Sequence, residues 1–226
     1  MAEVPNAGME LVKAIESSQE VAGGGRLLFT LLLDDSISIY RNHEHVVRGY
    51  AECLEVLRKA PGRVAVQTQF LNRKIPVQYL PPSDVVPLTA ETYVLTGGTP
   101  LFVRTKEILE TVLAESDSYP EDVTMTFIFT DGWDTKSREH GVGAADVKKL
   151  VVPMFESKRH IVGAFAVYDG HTDFRQVFAD MGIPPQWIKV LDDWERVKTV
   201  MSGVGRVTSR ASRSYGDFSE VTDNGY

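Results

Sequence analysis

Arg26-Leu-Leu-Phe-Thr-Leu-Leu-Leu33 runs straight into Asp34-Asp35-Ser36-Ile37-Ser38. An apolar run without alternation is the pattern of a strand buried on both faces, as in a parallel sheet. Its abrupt end in acids and hydroxyls delivers those groups to the strand's carboxyl end, where open α/β sheets bind their ligands. The same arrangement recurs downstream. Val123-Thr-Met-Thr-Phe-Ile-Phe-Thr130 is a second buried run and stops at Asp131-Gly132-Trp133-Asp134. Residues 161–167 and 187–191 read as further strands. Residues 63–70 alternate like a strand, and residues 75–80 read as a short one beyond an Asn72-Arg73 turn.

Between these runs the spacing changes to that of helices. Residues 42–60 place Val46, Val47, Tyr50, Cys53, Leu54 and Leu57 on one side and stop at Pro61-Gly62. Thr99-Pro100 opens another helix, with proline at a position where its missing N–H costs nothing. Residues 144–157 form a third, which Pro153 is expected to kink or split. Residues 174–181 and 193–204 form two more. Alternating strands and helices predict an α/β fold, a Rossmann-like open and mostly parallel central sheet with helices on both faces. The predicted domain spans residues 26–207. Residues 1–25 are polar and end in three glycines, which read as an N-terminal extension and joint. No Gly-Lys-Ser/Thr follows them, so they are not a phosphate loop. Residues 208–226, rich in Ser, Gly, Asp and Arg, read as a disordered tail.

Composition bounds the function. The chain has 226 residues, 43% hydrophobic and 24% charged, as in a soluble globular domain. Its 31 Asp and Glu against 24 Lys and Arg give a net charge of −7, which argues against a nucleic-acid partner. The single cysteine, Cys53, excludes an internal disulfide and fits a reducing compartment. It lies on an apolar helix stripe and reads as a buried structural thiol. No apolar run is long enough to span a bilayer, and the first residues lack a signal-peptide core, so the expected location is cytoplasmic with no membrane partner.

Three segments meet at predicted strand ends or helix starts. They offer the hydroxyls of Ser36, Ser38 and Thr99 and the carboxylates of Asp34 and Asp131. All five are hard oxygen donors, suited to Mg²⁺, with Mn²⁺ or Ca²⁺ as alternatives. Neutral hydroxyls neutralise a divalent ion poorly, so such a site would still attract an anionic oxygen from outside.

Asp-x-Ser-x-Ser at 34–38, Thr99 within Gly-Gly-Thr-Pro-Leu, and Asp131 within Thr-Asp-Gly together resemble the von Willebrand factor type A (vWA) domain and its metal-ion-dependent adhesion site (MIDAS). The first motif alone arises by chance in roughly one chain in twenty of this length, so the ordered set of three carries the resemblance. It implies that Ser36 and Ser38 bind the metal directly, Thr99 directly when a ligand is engaged, and Asp34 and Asp131 directly or through water. The Gly-Gly-Thr-Pro-Leu form is similar to intracellular bacterial or phage-type members. For these the resemblance implies a protein partner that supplies an Asp or Glu, in an assembly such as a MoxR-type AAA+ ATPase system. Ile37 and Ile39 stand where members often have Gly and Met. A β-branched residue does not take a glycine-only backbone, which leaves the loop shape open at Ile37.

Asp35, Trp133 and Asp134 are placed on the ligand-binding rim, Asp35 facing solvent. The bland alternative for Trp133 is packing on a neighbouring loop. The strand followed by Asp-Asp-Ser is similar to haloacid-dehalogenase phosphatases, but Ser36 stands where their second acid belongs. No Ser-His-acid series has a nucleophile-elbow context. The expected protein is therefore a non-enzymatic binding module with no catalytic residue. The alternative is a Mg²⁺-dependent phosphohydrolase using the same cluster.

Overall fold

The computed structural model of the chain describes residues 25–60 and 63–212. The expected N-terminal extension, the Pro61-Gly62 helix stop and most of the expected tail lie outside the described residues.

Five strands form one sheet: β1 (Leu27–Leu33), β2 (Val64–Phe70), β3 (Val123–Thr130), β4 (His160–Val167) and β5 (Ile188–Leu191). Every pairing is parallel, in the order β2-β1-β3-β4-β5. Every residue of β1, β3 and β4 is buried, which explains why their sequences are continuous rather than alternating. Among the described residues four α-helices connect them, α1 (His43–Leu57), α2 (Leu101–Ser118), α3 (Ala144–Glu156) and α4 (Phe174–Asp180), and α5 (Arg196–Ala211) follows β5. β1 leads to β2 on one side and the chain returns to β3 on the other. Right-handed crossovers then put α1 on one face of the sheet and α2 to α4 on the opposite face. α5 packs on α1, and α2 packs on α3. Among the described residues no helix is long and apolar enough to cross a membrane.

Three expectations are corrected. Residues 75–80 are not a strand. Only Leu80 reaches the sheet, through a single antiparallel bridge to Val66. Pro76 has no N–H to give a ladder, and Ile75 and Val77 are about 40% exposed. Pro153 does not split its helix, since α3 runs through it unbroken. The proline sits on the exposed side, where water can serve the carbonyl it leaves unpaired. Helix α5 continues to Ala211, four residues into the stretch read as tail, and Thr208, Ser209 and Ala211 are buried. Thr208 Oγ1 donates to the Val204 carbonyl at 2.9 Å and Ser212 Oγ to that of Ser209 at 2.8 Å. Small polar side chains that bond their own helix can be buried at little cost, and composition does not reveal it. Small residues also bring α5 close to α1: a Cβ on Gly205 would stand 3.0 Å from the Cys53 carbonyl oxygen. Cys53 lies at that contact, buried, its thiol pushed up to about 12 by burial.

Two expected outcomes follow from the core. A Cβ on Gly163 of β4 would lie 2.5 Å from Phe127 Cε1. Phe127 is held between Phe29 and Trp187, with ring centroids 6.1 and 6.0 Å away. Gly163→Ala should therefore cost about 1–3 kcal/mol in urea unfolding. His160 is buried against Thr124 Oγ1 at 2.9 Å, and burial lowers its pKa to about 4. The unfolded chain binds this proton near pH 6.5, so stability is lost as pH falls from there towards 4. Between pH 7 and pH 5 the urea midpoint of His160→Gln should fall less than that of the parent.

Candidate metal centre at the carboxyl edge of the sheet

β1 is the strand at which the sheet order reverses, so a crevice opens above the carboxyl ends of β1 and β3. The main chain carries β1 past its last pairing, with the Asp34 N–H donating to the Phe129 carbonyl at 2.9 Å. This register sets Asp34 opposite the end of β3, beside Thr130 and Asp131.

Asp34 is fully buried. Its Oδ1 accepts the Ser36 N–H at 2.8 Å, and its Oδ2 accepts the Thr130 hydroxyl at 2.6 Å. The loop then turns through a 3-10 segment, Ile37–Asn42. Among the described residues only Lys158 is a non-glycine with positive φ, so Ile37 fits an ordinary backbone and the glycine of related loops is not needed. Ser38 is the hub. Its hydroxyl donates to Asp131 Oδ1 at 2.6 Å and lies 2.9 Å from Ser36 Oγ. Thr99 is buried just ahead of α2, its N–H donating to Thr135 Oγ1 at 2.8 Å. A Cβ on Gly132 would lie 3.3 Å from Thr99 Oγ1 and 3.9 Å from Ser38 Oγ. Thr99 thus joins the cluster, and glycine at 132 leaves clear the space between the hydroxyls. All five residues expected from the sequence lie at this one edge.

The electrostatics are those of a site short of positive charge. Burial pushes the Asp34 pKa up to about 6, and its bonds to Ser36 and Thr130 only partly oppose this. Burial also raises that of Asp131, against the Ser38 hydroxyl, and the charge of Asp169 adds to the rise. Among the described residues neither acid has a cationic side chain as a hydrogen-bond or ion-pair partner. Among the same residues no group of three or more His, Cys, Asp or Glu could hold a metal ion, so a cation at this edge depends on the hydroxyls. The all-oxygen donor set, the two unneutralised acids and the space over Gly132 fit a hard divalent cation.

Two rim assignments are corrected. Asp35 is fully buried rather than solvent-facing. Its Oδ1 accepts the Asn72 N–H at 2.7 Å and Asn72 Nδ2 at 3.1 Å, and its Oδ2 accepts Arg73 N and Nε at 3.2 and 3.3 Å. It closes the turn after β2, and Arg73 supplies the charge that Asp34 lacks. Asp134 is also buried. It accepts the Phe102 N–H at 2.9 Å and the Ser137 N–H at 2.8 Å. The first amides of α2 have no partners within the helix, and a carboxylate suits the positive end of the helix dipole. Trp133 is 54% exposed, with its ring edge-on to that of Phe102.

Two contributors escaped the sequence reading. Thr130 donates to Asp34 and accepts the Gly132 N–H at 3.2 Å, linking the two acidic segments. Its place directly before Asp-Gly is the signal that could have revealed it. Tyr93 sends its hydroxyl to the Asp34 carbonyl from a long loop, and nothing in that loop's sequence marks it.

The chain matches no protein-family profile and no curated protein. Its fold is nevertheless shared with solved structures. The pilus adhesin SpaC from Lactobacillus rhamnosus GG, in an open conformation, superposes with a TM-score of 0.62 at 13% identity over 83% of this chain. Proximal thread matrix protein 1 from the mussel byssus superposes at 0.55, with 14% identity over 84% of the chain. A form of that protein with a zinc-occupied MIDAS motif superposes at 0.52, also at 14% identity. This chain spans 30% of the adhesin and 47% of the thread protein. At such identities the likeness speaks for the fold, which is vWA-like.

Removing the Asp35 carboxylate would take the acceptor from the half-buried N–H groups of Asn72 and Arg73 and from Arg73 Nε. Asp35→Ala should cost about 2–4 kcal/mol in urea unfolding. A variant as stable as the parent would remove Asp35 from this structural role.

Proposed function

We propose that this chain is a metal-dependent protein-binding module. Asp34, Ser36, Ser38, Thr99 and Asp131 hold a divalent cation, Mg²⁺ by the hardness of the donors, with Mn²⁺ or Ca²⁺ as substitutes. A partner protein completes the site with an Asp or Glu carboxylate. The observation that carries this reading is the chain Asp131–Ser38–Ser36, hydrogen-bonded beside Asp34 and Thr99, with the pKa of both carboxylates raised by burial and no cationic partner for either among the described residues. When bound, the cation supplies a positive centre that two acids and three neutral hydroxyls leave attractive to a further anionic oxygen. The chain's own part is to orient: Thr130 and the Ser36 amide aim the Asp34 carboxylate, Ser38 aims Asp131, and the exposed side of Ser38 marks the approach.

The module acts by binding rather than turnover. Ser36 and Ser38 bond each other and Asp131, and among the described residues no His or Lys hydrogen-bonds either hydroxyl to take its proton. The finer reading is a cytoplasmic module of intracellular bacterial type, whose partner belongs to a multiprotein assembly such as a MoxR-type AAA+ ATPase system. It is supported by the Gly-Gly-Thr-Pro-Leu form of the Thr99 segment.

Isothermal titration with Mg²⁺ tests the site. Asp131→Ala should weaken binding by about tenfold or more while keeping the free energy of urea unfolding within about 1 kcal/mol of the parent's. A variant that binds Mg²⁺ like the parent would show the assignment to be wrong. A pulldown from native lysate, with Mg²⁺ and again with EDTA, should retain the partner only with metal and intact Asp131. A phosphoester screen with Mg²⁺ should show no turnover.

A further inference from the structure

Trp133 follows Asp131 by two residues, so their Cα atoms are at most about 7 Å apart. Trp133 is 54% exposed, and tryptophan is enriched among the residues that carry most of the energy of an interface. It borders a groove of about 560 Å³ that runs away from the acids across the starts of α2 and α3 to α4. Phe102 and Val177, both buried, give the groove an apolar floor, Ala144 extends it, and Thr172 lies beside them with its hydroxyl turned to Asp169. Its volume lies within the usual range for side-chain and ligand pockets.

The rim adds a charge. Asp173 and Asp180 line the groove and are exposed. Asp173 accepts the Gln176 N–H at 3.1 Å, and Asp180 accepts Gln176 Nε2 at 2.8 Å. Neither forms an ion pair among the described residues, and none of the described lining residues is Lys or Arg. His171 and Gln176 complete the lining, so the groove is apolar at Phe102, Val177 and Ala144, carries two acids on its edge, and begins at Trp133, two residues from Asp131.

We propose that this groove is the second half of the partner-binding surface. It seats a large apolar side chain from the same extended segment whose carboxylate reaches the Asp131 edge, and a Lys or Arg of that segment lies against Asp173 and Asp180. The proposal rests on the metal-site reading above. An extended chain advances about 3.3 Å per residue, so the acid and the apolar anchor stand two to four residues apart, with the basic residue beyond. The metal site then supplies the charge requirement, and the groove tells one acidic segment from another.

The test is selection of random dodecapeptides displayed on phage against the full chain in Mg²⁺, followed by anisotropy titrations of a synthetic selected peptide. The expected consensus holds an Asp or Glu, a Phe, Tyr, Leu, Ile or Met two to four residues away, and a Lys or Arg beyond. Trp133→Ala, at an exposed position that leaves folding intact, should weaken the peptide about tenfold while EDTA still abolishes the remainder. Replacing the peptide's apolar residue by Ala should cost the parent the same factor and cost Trp133→Ala little more, the coupling expected of groups in contact. Asp180→Asn should reduce the preference for Lys or Arg.

An acid-only consensus, an additive cycle, or no enrichment at all overturns the groove proposal. The first two of these leave the metal reading standing if EDTA still abolishes binding. Binding that needs Trp133 but is indifferent to EDTA and to Asp131→Ala sinks the metal reading and with it the proposal that one segment spans both. Self-association of the chain that excludes the peptides would assign the groove to a second copy and overturn the proposal.

Discussion

Two neighbouring carboxylates, Asp34 and Asp35, leave the end of a fully buried strand and are themselves fully buried. A buried charge costs several kcal/mol unless it is paired and hydrogen-bonded, so the surrounding loops must answer both. They answer them differently. Asp35 receives main-chain N–H groups, an amide and a guanidinium from the turn after β2. Asp34 receives one main-chain N–H and one hydroxyl and keeps a raised pKa. The first acid is satisfied by the fold. The second has no cationic partner among the described residues.

That division organises the whole edge. By fixing Asn72, Asp35 also fixes the Thr99 segment, because Asn72 Nδ2 donates to the Gly98 carbonyl at 2.9 Å. The Thr96 N–H donates to the Asp35 carbonyl at 2.7 Å, and the Thr135 N–H to that of Thr99 at 2.9 Å. Asp134 adds a second anchor by holding the first turn of α2. Thr99, Ser36, Ser38 and Asp131 are thus carried by loops tied to one another and to a rigid sheet, the kind of support that holds a binding constellation in place. Trp133 lies between the buried Asp134 and the cluster, which leaves its ring at the surface beside the groove.

The likeness to an adhesin and a byssal matrix protein at 13–14% identity is what this physics predicts. A doubly covered parallel sheet asks only for buried apolar runs and one-sided helices, which many sequences satisfy. Function resides in the site carried by the fold rather than in the fold itself.

The sequence by itself determined the order of elements, because the periods of 2 and 3.6 and unbroken apolar runs are local properties. It also determined the five-residue cluster, because each member follows a strand end or precedes a helix start, and parallel topology gathers those points on one edge. It could not tell Asp34 from Asp35 in role, nor Asp131 from Asp134. Each pair consists of identical side chains in one loop, and what differs is the donor brought from elsewhere: Asn72 and Arg73 for one, the open end of α2 for the other. Nor did composition reveal that Thr208 and Ser209 would be buried within a longer α5. Those outcomes depend on partners distant in the chain, and a partner's position is set only when the tertiary structure forms.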